Sequence, residues 1–294
     1  MSLNKPAIAG FNLPMPAASR TPQKKSDAAV QVSEAVRWYV WDGGFFAIGR
    51  AKGVVPRHAH HAIQIVVALD GDIAAQGADG RWLTGRGIII GPDLEHSYDS
   101  QGAFGAMLFV DPESIEGIWL RSSLQDDITV IPEKRVVACT AELARFRDHP
   151  LESMEIGELI RHCVQSLTAG ALPARRIDPR VTRVLRQIQR SNDLRLSLAT
   201  AAKTVFLSPS RFAHLFKQQV GLPFRRYVLW RKVTRAMLAI GRDGTATAAA
   251  QDADFADAAH LTRTFCQMFG IPPSVMLRGE FFEIRSPFNA SDEC

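Results

Sequence analysis

The hydrophobic period changes once along this chain, and that change divides what the chain can fold into. From Trp38 to Val110 the apolar residues come in short or alternating runs, RWYVWDGG, FFAIGR, AIQIVVALDGD, RWLTGRGIIIGPD and FGAMLFV, broken by glycine, aspartate and proline. Regularly spaced short strands with turn residues between them predict an antiparallel sandwich or barrel. Beyond residue 180 the apolar residues recur at steps of three and four, the period of a helix. Between the two regions lies GALPARRIDPR, residues 170–180, whose two prolines, glycine and three arginines read as a linker.

Charge divides at the same place. Residues 1–174 carry 16 basic against 20 acidic side chains, a net of −4, and residues 175–294 carry 19 against 10, a net of +9. A positive field confined to one part of a chain suits a polyanion, of which nucleic acid is the commonest. The first 30 residues, rich in alanine, proline, serine and lysine, read as a tail without the apolar run of a secretory signal. The richest apolar stretches, GIIIG and AMLFV, are strand-sized, so no membrane span and a cytoplasmic protein are expected. Cys139, Cys163, Cys266 and Cys294 form no CxxC pair, which argues for reduced structural thiols.

Residues 112–137 show no clear period and read as mixed loop and strand. In LESMEIGELIRHCVQSLTAG the apolar residues Ile156, Leu159, Ile160, Cys163, Val164 and Leu167 make one helical face. That stripe fits either packing within its own domain or a seam between two copies, and it is the candidate dimer helix.

In the basic region LSPSRFAHLFKQQVG reads as a helix with Ser208 as N-cap, Pro209 at its first position, Phe212, Leu215 and Phe216 inward, and Gly221 as its stop. Ser197 opens the helix before it, and Pro223 opens a longer one, PFRRYVLWRKVTRAMLAIG, which suggests a rigid connector. The arrangement then recurs. TATAAAQDADFADAAHLTRTFCQMFG holds a small-residue helix, a turn at Asp254 and a second helix with Leu261, Phe265 and Phe269 inward, ending at Gly270. Gly221 and Gly270 stand 49 positions apart in the numbering, which points to a duplicated helix-turn-helix unit.

Over residues 178–280 these motifs resemble the AraC/XylS type of bacterial transcription regulator. LSPSRFAHLFKQQVGLPFRRY is similar to the family's first recognition helix with its exit into the connector, and DFADAAHLTRTFCQMFGIPPSVML to the signature over the second. The resemblance implies two recognition helices in successive major-groove faces, about 34 Å apart on one side of the duplex. It places Ser210, Arg211 and His214 at bases in the first unit and His260, Thr262 and Arg263 at bases in the second. Lys217, Arg225 and Arg226 are placed at phosphates. Arginine suits the guanine edge because its fork matches O6 and N7. Two departures stand out. Ala258 and Ala259 replace polar residues, which weakens base discrimination in this half, and Asp254 replaces a turn glycine, although aspartate tolerates left-handed backbone.

In the first region PRHAHHAIQIVVALDGD and GIIIGPDLEH resemble the two cupin motifs, with His58, His60, Gln64 and His96 at the motif positions and Gly71 closing the first. Alternation turns His58 and His60 to one side of a strand and His61 outward. In metal-dependent cupins the equivalent of Gln64 is a glutamate, and an amide is a poorer ligand for a divalent ion. These four residues are therefore the candidate effector contacts, with His58, His60 and His96 as lesser metal candidates, no cofactor and no catalysis expected. Histidines satisfied by core hydrogen bonds remain the plainer alternative.

The expected fold is α+β in two domains. Residues 1–30 form a tail and 31–170 a cupin-like antiparallel β jelly roll with an amphipathic helix. A linker at 171–180 leads to an all-α tandem helix-turn-helix domain at 181–283 and a tail at 284–294. The expected function is a sequence-specific DNA-binding transcriptional regulator under small-molecule control, the alternative being a metal-dependent cupin enzyme or metal sensor fused to a DNA-binding module. Expected partners are double-stranded DNA, a small effector, a second copy of the chain and, for an activator, RNA polymerase.

Overall fold

The computed structural model describes residues 31–283 apart from 33–35, 42–43, 124–126, 145–146, 148–152, 169–176, 192–193 and 277. Both expected tails, 1–30 and 284–294, and most of the expected linker lie outside the described residues. Ten strands come first: β1 (Gln31–Val32), β2 (Arg37–Trp41), β3 (Gly44–Lys52), β4 (Val54–His58), β5 (Ile63–Ala68), β6 (Ile73–Gln76), β7 (Trp82–Gly85), β8 (Gly87–Ile90), β9 (His96–Asp99) and β10 (Phe104–Val110). Helix α1 (Ile115–Ser123), strand β11 (Ile128–Val130) and helices α2 (Glu133–Ala144) and α3 (Ser153–Thr168) follow. The stretch read as loop and strand thus holds α1 and the start of α2, whose few buried positions, Val136, Cys139 and Leu143, leave little period to detect.

Two sheets face each other. The smaller runs β4-β9-β6-β7; the larger runs β11-β8-β5-β10-β3-β2, with β1 on β3. Strand β5 is buried at all six positions because its two faces serve different cores. Val66 and Ala68 meet Ile73, Ala75 and Tyr98 between the sheets. Ile63, Ile65 and Val67 meet the helices on the outer side.

The stripe of α3 settles on that outer side. Ile156, Leu159, Ile160, Cys163, Val164 and Leu167 are all buried in one cluster with Ile65, Val67, Val136 and Leu143 of the same chain. Of the two readings the sequence left open for this stripe, the structure shows packing within its own chain, where the sheet and α2 occupy the face. Cys139 and Cys163 are free thiols within that packing.

The second region contains α4 (Pro179–Arg190), α5 (Leu198–Thr204), α6 (Pro209–Val220), α7 (Phe224–Asp243), α8 (Ala246–Asp252), α9 (Ala258–Phe269) and the short α10 (Pro273–Met276). The caps follow local chemistry. Ser197, Ser208, Thr245 and Asp257 each accept from a backbone N–H three residues on, and Asp178 from that of Arg180. Their inner residues share one cluster around Phe212, Phe216, Tyr227, Trp230, Leu261 and Phe265. Val40, Phe45, Ala62 and Phe109 of the first region belong to the same cluster, so the two regions are packed together.

The helical region ends in a strand that no sequence pattern announced. Strand β12 (Glu280–Glu283) pairs in parallel with β2, Glu280 opposite Arg37, and adds itself to the larger sheet. The approach depends on Gly279, where a Cβ would overlap the Val36 carbonyl and the Trp38 ring.

Candidate nucleic-acid interface and interdomain cavity

Helix α6 is amphipathic and presents Ser210, Arg211, His214, Lys217 and Gln218 to solvent while Phe212, Phe216 and Val220 are buried. Arg225 and Arg226 are exposed on the first turn of α7. On α9 the exposed residues are Ala259, Arg263 and Gln267. His260 and Thr262, expected at bases, are half-buried: the His260 ring stands edge-on to Phe255 at 5.2 Å, and the Thr262 hydroxyl donates to Ala258 O at 2.8 Å. Gln267, four residues beyond Arg263 on the same face, was not singled out from the sequence. Helix α4 adds exposed Arg183, Arg186 and Arg190 beside the two units. Among the described residues none of Arg211, Lys217, Arg225, Arg226 or Arg263 enters an ion pair, so their charge is available to an anion.

The two units are pinned to each other by the turn of the second. Asp254 sits at φ +57, left-handed as the missing glycine would be. Its carboxylate accepts from Leu194 N at 3.0 Å and from Arg195 Nε at 3.1 Å in the α4–α5 connection, and its carbonyl accepts from Lys232 Nζ at 2.8 Å. Burial alone would raise the Asp254 carboxyl, but the Leu194 N–H and the Arg195 and Lys232 charges outweigh it and hold it below the usual range. In the first unit the left-handed turn residue is Phe206, φ +56 and 92% exposed.

Between the sheets His58, His60, Gln64 and His96 converge, all buried. The three imidazoles offer ligand atoms within 4.8 Å of one another. His58 closes β4, His60 lies just past its end, and His96 opens β9, opposite His58 in the sheet register. Each ring is held by a carbonyl two residues away: Nδ1 of His58 donates to Pro56 O at 2.7 Å, that of His60 to Ala62 O at 3.1 Å and that of His96 to Leu94 O at 2.9 Å. With the proton on Nδ1, every Nε2 is a bare acceptor.

Oε1 of Gln64 lies 3.0 Å from Nε2 of His60 and 3.1 Å from Nε2 of His96, with Nε2 of the amide 3.5 Å from Met107 Sδ. An amide oxygen there would set three acceptors against one another. The same amide turned by 180° donates one N–H to each ring and satisfies both. Burial and the neighbouring rings keep the imidazoles neutral: His58 is pushed down to about 3 by burial and by His96, His60 well down by burial and by both neighbours, and His96 down by burial.

A divalent transition ion would take the same three lone pairs, with position 64 as the fourth protein ligand of a cupin-type set. Gln64 brings no charge to balance the ion, and in its satisfied orientation it points N–H groups at the ion's place. His60, Gln64 and His96 make a hydrogen-bonded set with the His58 ring beside it, and the four residues fit a resident metal poorly.

The set opens onto a cavity of about 970 Å³, counting the space at its mouth. His58, Gln64, Val66 and Tyr98 line it from the sheets, and Phe265, Phe269 and Met276 from the helical region. Sequence reasoning gave Phe265 and Phe269 only as core residues of a helix. Their inner face is core toward α7 and cavity wall toward the sheets, a distinction that periodicity does not carry.

Beside the cavity a buried polar latch joins the two regions. Asp111 accepts from Trp230 Nε1 at 2.7 Å and from Arg231 Nη1 at 2.8 Å. His61, expected to face outward, does turn away from the other histidines, but the surface it meets is covered by α7, and it is buried against Tyr227 and Trp230. Its Nδ1 and Nε2 donate to Asp93 and Glu113 at 2.8 and 3.2 Å. Burial opposes a charge on His61, yet Glu113 and Asp93 outweigh it and raise the ring to about 10, so it stands as a cation. No helix among the described residues is long and apolar enough to cross a membrane.

Residues 201–279 match a family model described as a helix-turn-helix domain. No curated protein matches the chain. Among solved structures the chain is similar to ToxT from Vibrio cholerae O395, with 9% identity, 85% of this chain and 97% of that one covered, and a TM-score of 0.52. It is likewise similar to unsaturated fatty acid bound ToxT from Vibrio cholerae strain SCE256, at 10% identity, 87% and 97% coverage and a TM-score of 0.50. A regulator with an AraC-type DNA-binding domain from Chromobacterium violaceum aligns at 24% identity over 34% of this chain and 89% of that one, TM-score 0.32.

Proposed function

Because residues 201–279 match a helix-turn-helix domain and the chain shares the two-domain fold of ToxT, we propose that it is a regulator of the AraC type whose hold on DNA is set by a small apolar effector in the interdomain cavity. The protein is a DNA-binding transcriptional regulator. In this reading α6 and α9 enter successive major-groove faces, with Ser210, Arg211, His214 and Arg263 at base edges and Lys217, Arg225 and Arg226 on phosphates. His260 and Thr262 contribute less, being half-buried or bonded to their own helix.

The observation that carries effector control is the shared wall. Phe265 and Phe269 line the cavity from the helix whose opposite face carries Arg263. A molecule seated there binds one placement of α9 better than another, and that difference in affinity is what shifts DNA binding. The fatty acid in ToxT supports an apolar occupant on the same fold. We assign no catalytic step to the cavity, and RNA polymerase and a second copy of the chain are partners by family likeness.

The test is selection of binding sites from a random duplex pool by the full-length protein, followed by affinity measurements with wild type and with Ala51→Phe, which fills the cavity from the sheet side. The expected result is an asymmetric site with two elements about 34 Å apart and an affinity altered by Ala51→Phe. Absence of any enriched sequence removes the DNA-reading assignment. Enrichment with an affinity indifferent to the filled cavity removes effector control.

A further inference from the structure

The polar atoms of the cavity have a one-sided hydrogen-bonding character, and with it they select a ligand chemistry. His58 gives its Nδ1 proton to Pro56 O, and among the described residues its Nε2 has no partner. Gln64, once both its N–H groups serve His60 and His96, turns its carbonyl to the position 3.5 Å from Met107 Sδ, a side that also lines the cavity. Ser100 donates its hydroxyl to Ala51 O at 2.7 Å. Two acceptors, His58 Nε2 and Gln64 Oε1, therefore face the lumen, joined by the Tyr98 hydroxyl, which can donate as well as accept. The described lining contains no lysine and no arginine.

Resting on the effector reading above, we infer that the cavity takes an uncharged apolar molecule bearing a hydrogen-bond donor, such as a fatty alcohol or a phenol, and rejects the matching carboxylate. A hydroxyl gives its proton to His58 Nε2 and can accept from Tyr98, so both ends of the dipole are met. A carboxylate brings only acceptors to a wall of acceptors, finds one donor in Tyr98, and sheds its hydration without a cation to replace it. In this preference the chain would depart from ToxT, which binds an unsaturated fatty acid and a butenoic acid.

The experiment uses full-length protein purified without a metal-affinity tag and the neutral dye N-phenyl-1-naphthylamine, which brightens in apolar cavities. Displacement of the dye is then measured with 1-decanol, decyl methyl ether and decanoate at about pH 8, where the acid is ionised. Decanol is expected to displace at concentrations about tenfold lower than the ether or the acid, the worth of one well-met hydrogen bond. In His58→Leu the dye still binds and the advantage of decanol over the ether disappears. Should that variant not fold, the wild-type series decides alone.

Displacement by decanoate or by the ether at the concentration of decanol overturns the inference, as does a bound dye that none of the three removes. A full equivalent of a divalent transition metal in the purified protein also overturns it, because the lone pairs would then be spent on the ion. A dye that never brightens overturns the effector cavity itself and so marks the failure of the earlier reading.

Discussion

The imidazole of His60 stacks on the phenyl ring of Phe269, with centroids 5.8 Å apart and planes 28° from parallel. The buried end of α9 is thereby seated on the polar cluster of the sheets. One residue on, Gly270 closes α9 at φ +70, and a Cβ there would stand 2.8 Å from Pro56 O and 3.0 Å from His58 Nδ1. Gly270→Ala therefore meets both a disfavoured backbone and an overlap, and should cost about 1–3 kcal/mol in denaturant unfolding. Hydrogen exchange should rise in α9 and β4 more than in α6. A uniform rise across both units would count against a local seat.

The proposed DNA contacts divide into base and phosphate roles that binding can separate. Arg211→Ala and Arg263→Ala should each lose about 1–3 kcal/mol of discrimination at one base position of the selected site. Lys217→Ala should weaken selected and random duplexes alike and lower the salt slope by about 0.9. Equal losses on both duplexes for the arginine variants would move them to phosphates, and an unchanged slope would take Lys217 out of the interface.

Asp254 holds the second unit to the first through Leu194 N and Arg195. Asp254→Gly keeps the left-handed turn and removes the tie. Affinity for a site with both elements should drop about tenfold, while affinity for a duplex with the first element alone stays at the wild-type value. A drop on the half-site as large as on the full site would show that Asp254 serves the fold and not the spacing.

Stability should peak near pH 6.5. His58, lowered to about 3, is neutral in the folded protein, as are His60 and His96, and unfolding returns them to 6.5. Below 6.5 the unfolded chain takes up protons that the folded one refuses, so stability falls as pH drops from 6.5 toward 3. Glu116, raised to about 7 by burial, opposes this by one proton between 4.5 and 7. His61, raised to about 10, contributes fully below 6.5 and loses its contribution as pH rises from 6.5 to 10. Denaturant midpoints across this range check the shape, and His61→Gln should flatten the alkaline limb. An alkaline limb identical in that variant would separate His61 from the interdomain latch.

Helix α3 belongs to the core of its own sheet. Ile160→Ala should cost about 2–5 kcal/mol in unfolding, the range for a buried aliphatic side chain, and leave the sedimentation behaviour of the folded protein unchanged. Loss of self-association at an unaltered midpoint would put this face between copies.

Period and capping chemistry carried much of the architecture in the sequence. Ser208, Asp257, Gly221 and Gly270 mark the helix boundaries by local rules, and the switch of period near residue 180 separates sheet from helix. The histidine cluster was legible because two strand-borne motifs set its spacing. What stayed hidden depends on what covers a surface. Outward alternation of His61 does not reveal that α7 lies over it, and Trp230 and Arg231 read as ordinary helix residues until Asp111 is seen between them. The stripe of α3 looks alike whether a sheet or a second copy covers it. Strand β12 gave no pattern of its own, since it draws its pairing from β2.

That pairing has a consequence for biosynthesis. Arg37 and Glu280 are register partners, so β2 is without its outer neighbour until residues 280–283 have left the ribosome. Until then the nascent sheet carries a row of unanswered backbone groups along one margin, the kind of edge that invites pairing with other chains. A ribosome that stalls or terminates within the helical region would release a fragment with that margin open to such pairing.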